Sequence, residues 1–176
     1  MKKILWLVVL AVGFGAAAKN VGAAPVQVAL FPPVQIVKAD NSVNGLRLNV
    51  IYGVNADVTG VDLGLVNQTT GNLLGFQLGA VNMTKGNSSG VVWGIYNQTG
   101  GDLHGWQGGA VNITNGAVHG AQTGLWNQAG TMSGFQLGIY NGAKIMNGVQ
   151  VGLINMNFTG TPFKFLPIVN WSFGKS

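Results

Sequence analysis

The chain has 176 residues, of which only 7% are charged, and a formal net charge of +5; an ordinary soluble domain is about one-quarter charged. There is no Cys, which excludes disulfides and a lipid anchor on cysteine. The later basic residues, Lys38, Arg47, Lys85, Lys144, Lys164 and Lys175, are scattered, so nothing supports nucleic-acid binding.

Residues 1–23 read as a secretory signal. Lys2 and Lys3 open it, Ile4 to Val12 form the apolar run, and small residues follow, with cuts expected after Ala18 or Ala23. The run is interrupted by Gly13 and Gly15 and is shorter than the roughly 20 residues of a spanning helix. Cleavage would lower the net charge to about +2 or +3. An exported protein is expected, at a bacterial cell surface, in the outer membrane or in the periplasm.

Residues 24–44 lack the pattern of the residues after them and are expected to form an N-terminal cap. From residue 45 to 159 the chain repeats. Its leading glycines are Gly45, Gly60, Gly75, Gly90, Gly105, Gly120, Gly134 and Gly148, 15 residues apart five times and then 14 twice. Counting from that glycine, position 5 is nearly always Gly and position 8 is Asn in Asn67, Asn82, Asn97, Asn112, Asn127, Asn141 and Asn155. Positions 2, 4 and 6 are mostly apolar, and position 3 is often Gln, as in Gln77, Gln107, Gln122, Gln136 and Gln150. This is the period-two alternation of a strand, followed by turn residues. Residues 160–176, with Phe163, Phe165, Trp171 and Phe173, are expected to form an aromatic C-terminal cap or strand.

The pattern predicts an all-β fold: a β-solenoid of about eight coils of 14–15 residues, with capped ends. The alternative is a small up-and-down outer-membrane barrel. The solenoid is favoured because every unit repeats the same directional pattern, turn included, and because Asn side chains stacked coil on coil can bond as a ladder. Positions 2 to 6 also span only about 13 Å at roughly 3.3 Å per residue, against the lipid-facing band of about 25 Å in a barrel.

Units of this type, preceded by Leu30-Phe-Pro-Pro-Val-Gln35 and Gly45-Leu-Arg-Leu-Asn49, resemble a bacterial surface-repeat protein family of uncharacterised role. Its members are strings of Gly-Leu-Gln-Ile-Gly-Leu-Ile-Asn units behind a signal peptide. The resemblance implies a surface location and brings no catalytic residues with it.

No constellation for catalysis emerges, and no enzyme activity, cofactor or metal is expected. His104 and His119 share position 15 of consecutive units and are expected to stack as an exposed pair beside Asp102; a closed zinc site wants four ligands. Asp62 fills the Gln position of its unit and is expected as a solvated column residue. Thr at position 10 is expected as a hydroxyl column at the turn, and the Asn-x-Thr matches there fall out of the repeat itself. The expected binding face carries Gln107, Gln122 and Gln136 from position 3 with Tyr96, Trp126 and Tyr140 from position 7, opposite Trp106, Leu125 and Leu137. In the competing reading position 7 turns inward at a corner and is core. The partner is a glycan, a protein or a second copy, with outer-membrane association open and nucleic acid excluded.

Overall fold

The computed structural model describes residues 22–160 and 162–173; nearly all of the expected signal peptide lies outside them. The described chain is all β: β1 (Ala24–Phe31), β2 (Val34–Gln35), β3 (Val43–Asn55), β4 (Val58–Thr69), β5 (Leu73–Leu78), β6 (Val81–Thr84), β7 (Ser88–Thr99), β8 (Leu103–Leu137), β9 (Tyr140–Asn157) and β10 (Phe165–Ser172). Coil by coil the pairing is parallel and in register. Gly60 lies against Gly75, Gly75 against Gly90 and Gly90 against Gly105, while Asn67, Asn82, Asn97 and Asn112 form a second aligned series. The fold is a β-solenoid of coils of about 15 residues. The barrel alternative is overturned, because neighbouring units of an up-and-down barrel run antiparallel. Among the described residues the antiparallel pairs are confined to the two ends, β1 with β2 and β9 with β10.

One coil shows the plan. β5 supplies its first side, Gly79 and Ala80 turn the first corner, β6 forms the second side, and Lys85 to Asn87 turn the second corner into β7. The first corner uses an odd step, so the alternation changes phase there. Position 3 points inward before it, and positions 8 and 10 point inward after it. The buried columns are therefore Gln77, Gln107, Gln122, Gln136 and Gln150 at position 3, the Asn series at position 8, and Thr69, Thr84, Thr99 and Thr114 at position 10. Position 14 completes the interior with Val43, Val58, Leu73, Leu103, Val118, Met132 and Met146.

This inverts the expected sidedness. The apolar positions 2, 4 and 6 face out, with Ile95 66% and Leu153 67% exposed, while the Gln side chains are 0% exposed. The expected turn column of Thr is likewise part of the core.

Repetition makes a polar core affordable. A buried amide is costly unless bonded, and a copy one coil away, about 4.8 Å along the axis, is placed to bond it. Asn97 Nδ2 donates to Asn112 Oδ1 and Asn112 Nδ2 to Asn127 Oδ1, both at 2.9 Å. The second Asn112 proton goes to the Thr123 carbonyl at 3.0 Å, in the corner of the next coil. The Gln ladder runs the other way: Gln122 Nε2 donates to Gln107 Oε1 at 2.9 Å and Gln136 Nε2 to Gln122 Oε1 at 2.7 Å. The two rows of amide dipoles thus oppose one another. Room for the Asn amides comes from glycine at position 5; a Cβ on Gly124 would lie 2.5 Å from Asn112 Nδ2.

Val92 interrupts the Gln ladder, and buried Gln77 Oε1 and Gln107 Nε2 on either side of it have no hydrogen-bond partner. Its neighbour Ser88 is smaller than Leu73 or Leu103, which hold the same column in the adjacent coils. Val92→Gln would donate to Gln77 and accept from Gln107. It is expected to stabilise by about 1–2 kcal/mol, the order of restoring buried hydrogen bonds. Thermal unfolding checks this, and a lowered midpoint would contradict it.

At the N-terminal end β1 stacks parallel on β3, and Gln27 takes the position-3 place beside Arg47. Its Oε1 accepts from the Val37 amide at 2.7 Å. Residues from Ala24 onward thus begin a further coil, although they do not look like the repeat. At the C-terminal end β10 runs antiparallel to β9, with Asn170 opposite Gln150, and Phe163 meets Trp171 edge to face.

Candidate functional site on the outer columns

The structure divides the face expected from the sequence. Gln107, Gln122 and Gln136 belong to the buried ladder and offer nothing to a ligand. The reason is the corner at positions 5 and 6: positions 3 and 7 would share a face only if the strand ran straight through it. Position 7 does face out. Trp126 is 43% exposed, and Tyr96 and Tyr140 are half-buried. The Trp126 and Tyr140 rings stack at 3.9 Å between centroids, and burial raises the Tyr140 phenol above its usual pKa. Trp106, Leu125 and Leu137 line the outside as well: Leu125 and Leu137 are exposed, and half-buried Trp106 donates from Nε1 to Thr123 Oγ1 at 2.8 Å.

Asp62 is a second correction. It is buried, not solvated, and forms a two-pronged ion pair with buried Arg47, Nε to Oδ1 at 2.7 Å and Nη2 to Oδ2 at 2.5 Å. Gln77 Nε2 also donates to Asp62 Oδ2 at 2.7 Å, so the pair terminates the Gln ladder. Arg47 further donates to the Gln68 carbonyl at 2.9 Å and to Thr69 Oγ1 at 3.2 Å. Both charges are fully engaged within the core.

His104 and His119 are exposed and stacked, with ring centroids 4.7 Å apart. Asp102 is occupied at the neighbouring corner, where its Oδ1 accepts from the Ala117 amide at 2.7 Å. That contact belongs to an outer ladder not expected from the sequence. Asp57 Oδ1 accepts from the Asn72 amide at 2.7 Å, Asn72 Oδ1 from Asn87 at 2.9 Å, and Asn87 Oδ1 from Asp102 at 2.8 Å. The signal was the run of Asp and Asn at position 13, the residue types whose side chains bond nearby backbone in turns.

The outside is therefore two-sided. The corner at positions 11 to 13 carries Asp57, Lys85, Asp102 and Lys144, with the His pair close by at position 15. The corner at positions 5 and 6 and the columns beside it carry large apolar side chains. Between Gly60 and Ile154, columns 2, 4, 6 and 7 contain no charged residue. Such a surface can bind by excluding water from apolar area, and it offers no cluster of acids, bases or nucleophiles for a reaction. No protein-family model, curated protein or solved structure gives a match to this chain.

Proposed function

We propose that this chain is an exported bacterial surface or outer-membrane-associated repeat protein that acts by binding or scaffolding and not by catalysis. The observation that carries the reading is the distribution of polarity. The ladders hold the interior polar groups, and the outside presents contiguous large apolar and aromatic side chains, including Ile95, Leu125, Trp126 and Leu153. Contiguous exposed apolar area on a folded protein marks an interaction surface. The signal-like first 23 residues and the resemblance to surface-repeat proteins support an extracytoplasmic setting.

The test is retention of the chain lacking residues 1–23 by isolated bacterial envelopes. Trp126→Ala with Tyr140→Ala is expected to reduce retention severalfold while the thermal midpoint moves little, because neither ring is fully buried. Acrylamide should quench a tryptophan component that is lost with Trp126. Absence of retention, or equal retention of the double variant, would overturn the reading.

A further inference from the structure

The apolar outside has a crest. At the first corner, position 6 projects furthest into solvent, in Val50, Leu65, Ile95, Leu125, Ile139 and Leu153, each about half exposed or more. Ala80 and Ala110 fall in the same column. Leu78, Trp93 and Leu137 flank the crest on one side, and Trp126 and Ile154 on the other. From Leu65 to Leu153 the ridge covers six coil steps, or about 29 Å at roughly 4.8 Å per step. The charged corner lies across the coil from it.

Backbone groups at this corner bond from coil to coil. Ile95 N donates to the Ala80 carbonyl at 3.0 Å, Ile139 N to Leu125 at 3.1 Å and Ile154 N to Ile139 at 2.9 Å. The Asn ladder covers the carbonyls just before the corner: Asn82 Nδ2 donates to Trp93 O at 2.8 Å and Asn127 Nδ2 to Leu137 O at 2.9 Å. Hydrocarbon admits backbone only when its polar groups are bonded internally, and these bonds reduce the polar backbone this corner would carry into it.

We infer that the crest inserts into the hydrocarbon boundary of a lipid surface, with the solenoid axis parallel to the membrane plane and the charged corner in water. This rests on the binding role proposed above and names its partner. Three features select lipid over a second copy. The ridge is uneven, with alanines set among long side chains, and a fluid phase conforms to it where a protein partner would need a matching groove. The hollow at Gly22, Ala23 and Asp40–Ser42 is polar and open, and cannot seat the ridge. The separation of the apolar crest from the charged corner is that of an amphipathic element lying about 5–10 Å deep in an interface, with Trp93 and Trp126 near the headgroup level. The charges face away from the lipid, so anionic headgroups are not required.

The experiment is flotation of the chain lacking residues 1–23 with neutral phosphatidylcholine vesicles, together with quenching of its tryptophans by brominated lipid. Flotation should persist in high salt, and quenching should report Trp93 and Trp126. Leu125→Asp with Leu153→Asp should lower the bound fraction by about tenfold or more, while Lys85→Gln on the opposite corner binds like the parent. Unchanged circular dichroism and thermal unfolding would establish that both variants fold. Absence of flotation, release by salt, or equal binding of the crest variant would overturn the inference. A dimer that the crest variant dissociates, without flotation, would assign the ridge to a second copy instead. Retention by envelopes without binding to vesicles would remove the lipid assignment and leave the broader binding role standing.

Discussion

Gly120→Ala is expected to destabilise the solenoid by more than about 3 kcal/mol, combining backbone strain with a steric clash. Gly120 has φ +142°, and an added Cβ would lie 2.0 Å from the carbonyl oxygen of Gly105. That oxygen belongs to the backbone of the coil below and cannot swing aside. The coils would have to separate locally, breaking parallel pairing on both sides of the column. In a stacked array each coil couples chiefly to its neighbours. The variant should therefore unfold with a midpoint lower by on the order of 10 °C, and its transition should broaden or split as the two blocks uncouple. Gly142→Ala is the control. Its Cβ would meet the Tyr140 side chain at 2.9 Å, and the aligned residue of the preceding coil is Gln128. It should shift stability by about 1 kcal/mol or less, because an unstrained Gly-to-Ala change stabilises by roughly 0.4–1 kcal/mol and the contact with the end of the Tyr140 side chain works against that gain. Equal effects from the two glycines would contradict the stacking.

The second large effect is expected at Arg47. Arg47→Gln strands the Asp62 carboxylate in the core, and breaking a buried pair from one side costs about 3–5 kcal/mol. Adding Asp62→Gln should recover most of that loss. The two new side chains would extend the Gln ladder from Gln77 toward Gln27, replacing the ion pair with the bonds used higher in the stack. A double variant as unstable as the single one would mean that the ion pair is needed for more than ending the ladder. The measurement is equilibrium unfolding of parent, single and double variants under the same conditions.

The architecture was readable from the spacing of glycines and asparagines, because a ladder demands one residue type in every copy. The same reasoning applied to Gln at position 3 would have placed that column inside. It was missed because alternation tells which positions share a face and not which face is the interior. The corner also resets the phase, so parity counted from position 3 fails by position 7. Size gave a second clue: column 2 runs from Ala to Trp, column 4 from Gly to Trp and column 6 from Ala to Leu, a spread that a closely packed interior does not accommodate without compensation. For the candidate face, the sequence leaves position 7 open between outside and core, and Trp126 and Tyr140 lie outside, whereas Gln107, Gln122 and Gln136 are buried. The Arg47–Asp62 pair was within reach of the same reasoning, because the two stand at position 3 of consecutive units and the register sets them side by side; reading that column as outward left Asp62 in solvent instead.

The central claim is an open stack of parallel coils, and distances along one outer column test it most directly. Spin labels at position 15 on Thr59 paired with Ser89, His119 or Asn147 lie two, four and six coil steps apart. Backbone separations should rise steadily, to about 10, 19 and 29 Å at roughly 4.8 Å per step. Pulsed dipolar spectroscopy on the three pairs reads that progression. A closed barrel brings its first and last strands together, so a Thr59–Asn147 distance shorter than the Thr59–His119 distance would contradict the account.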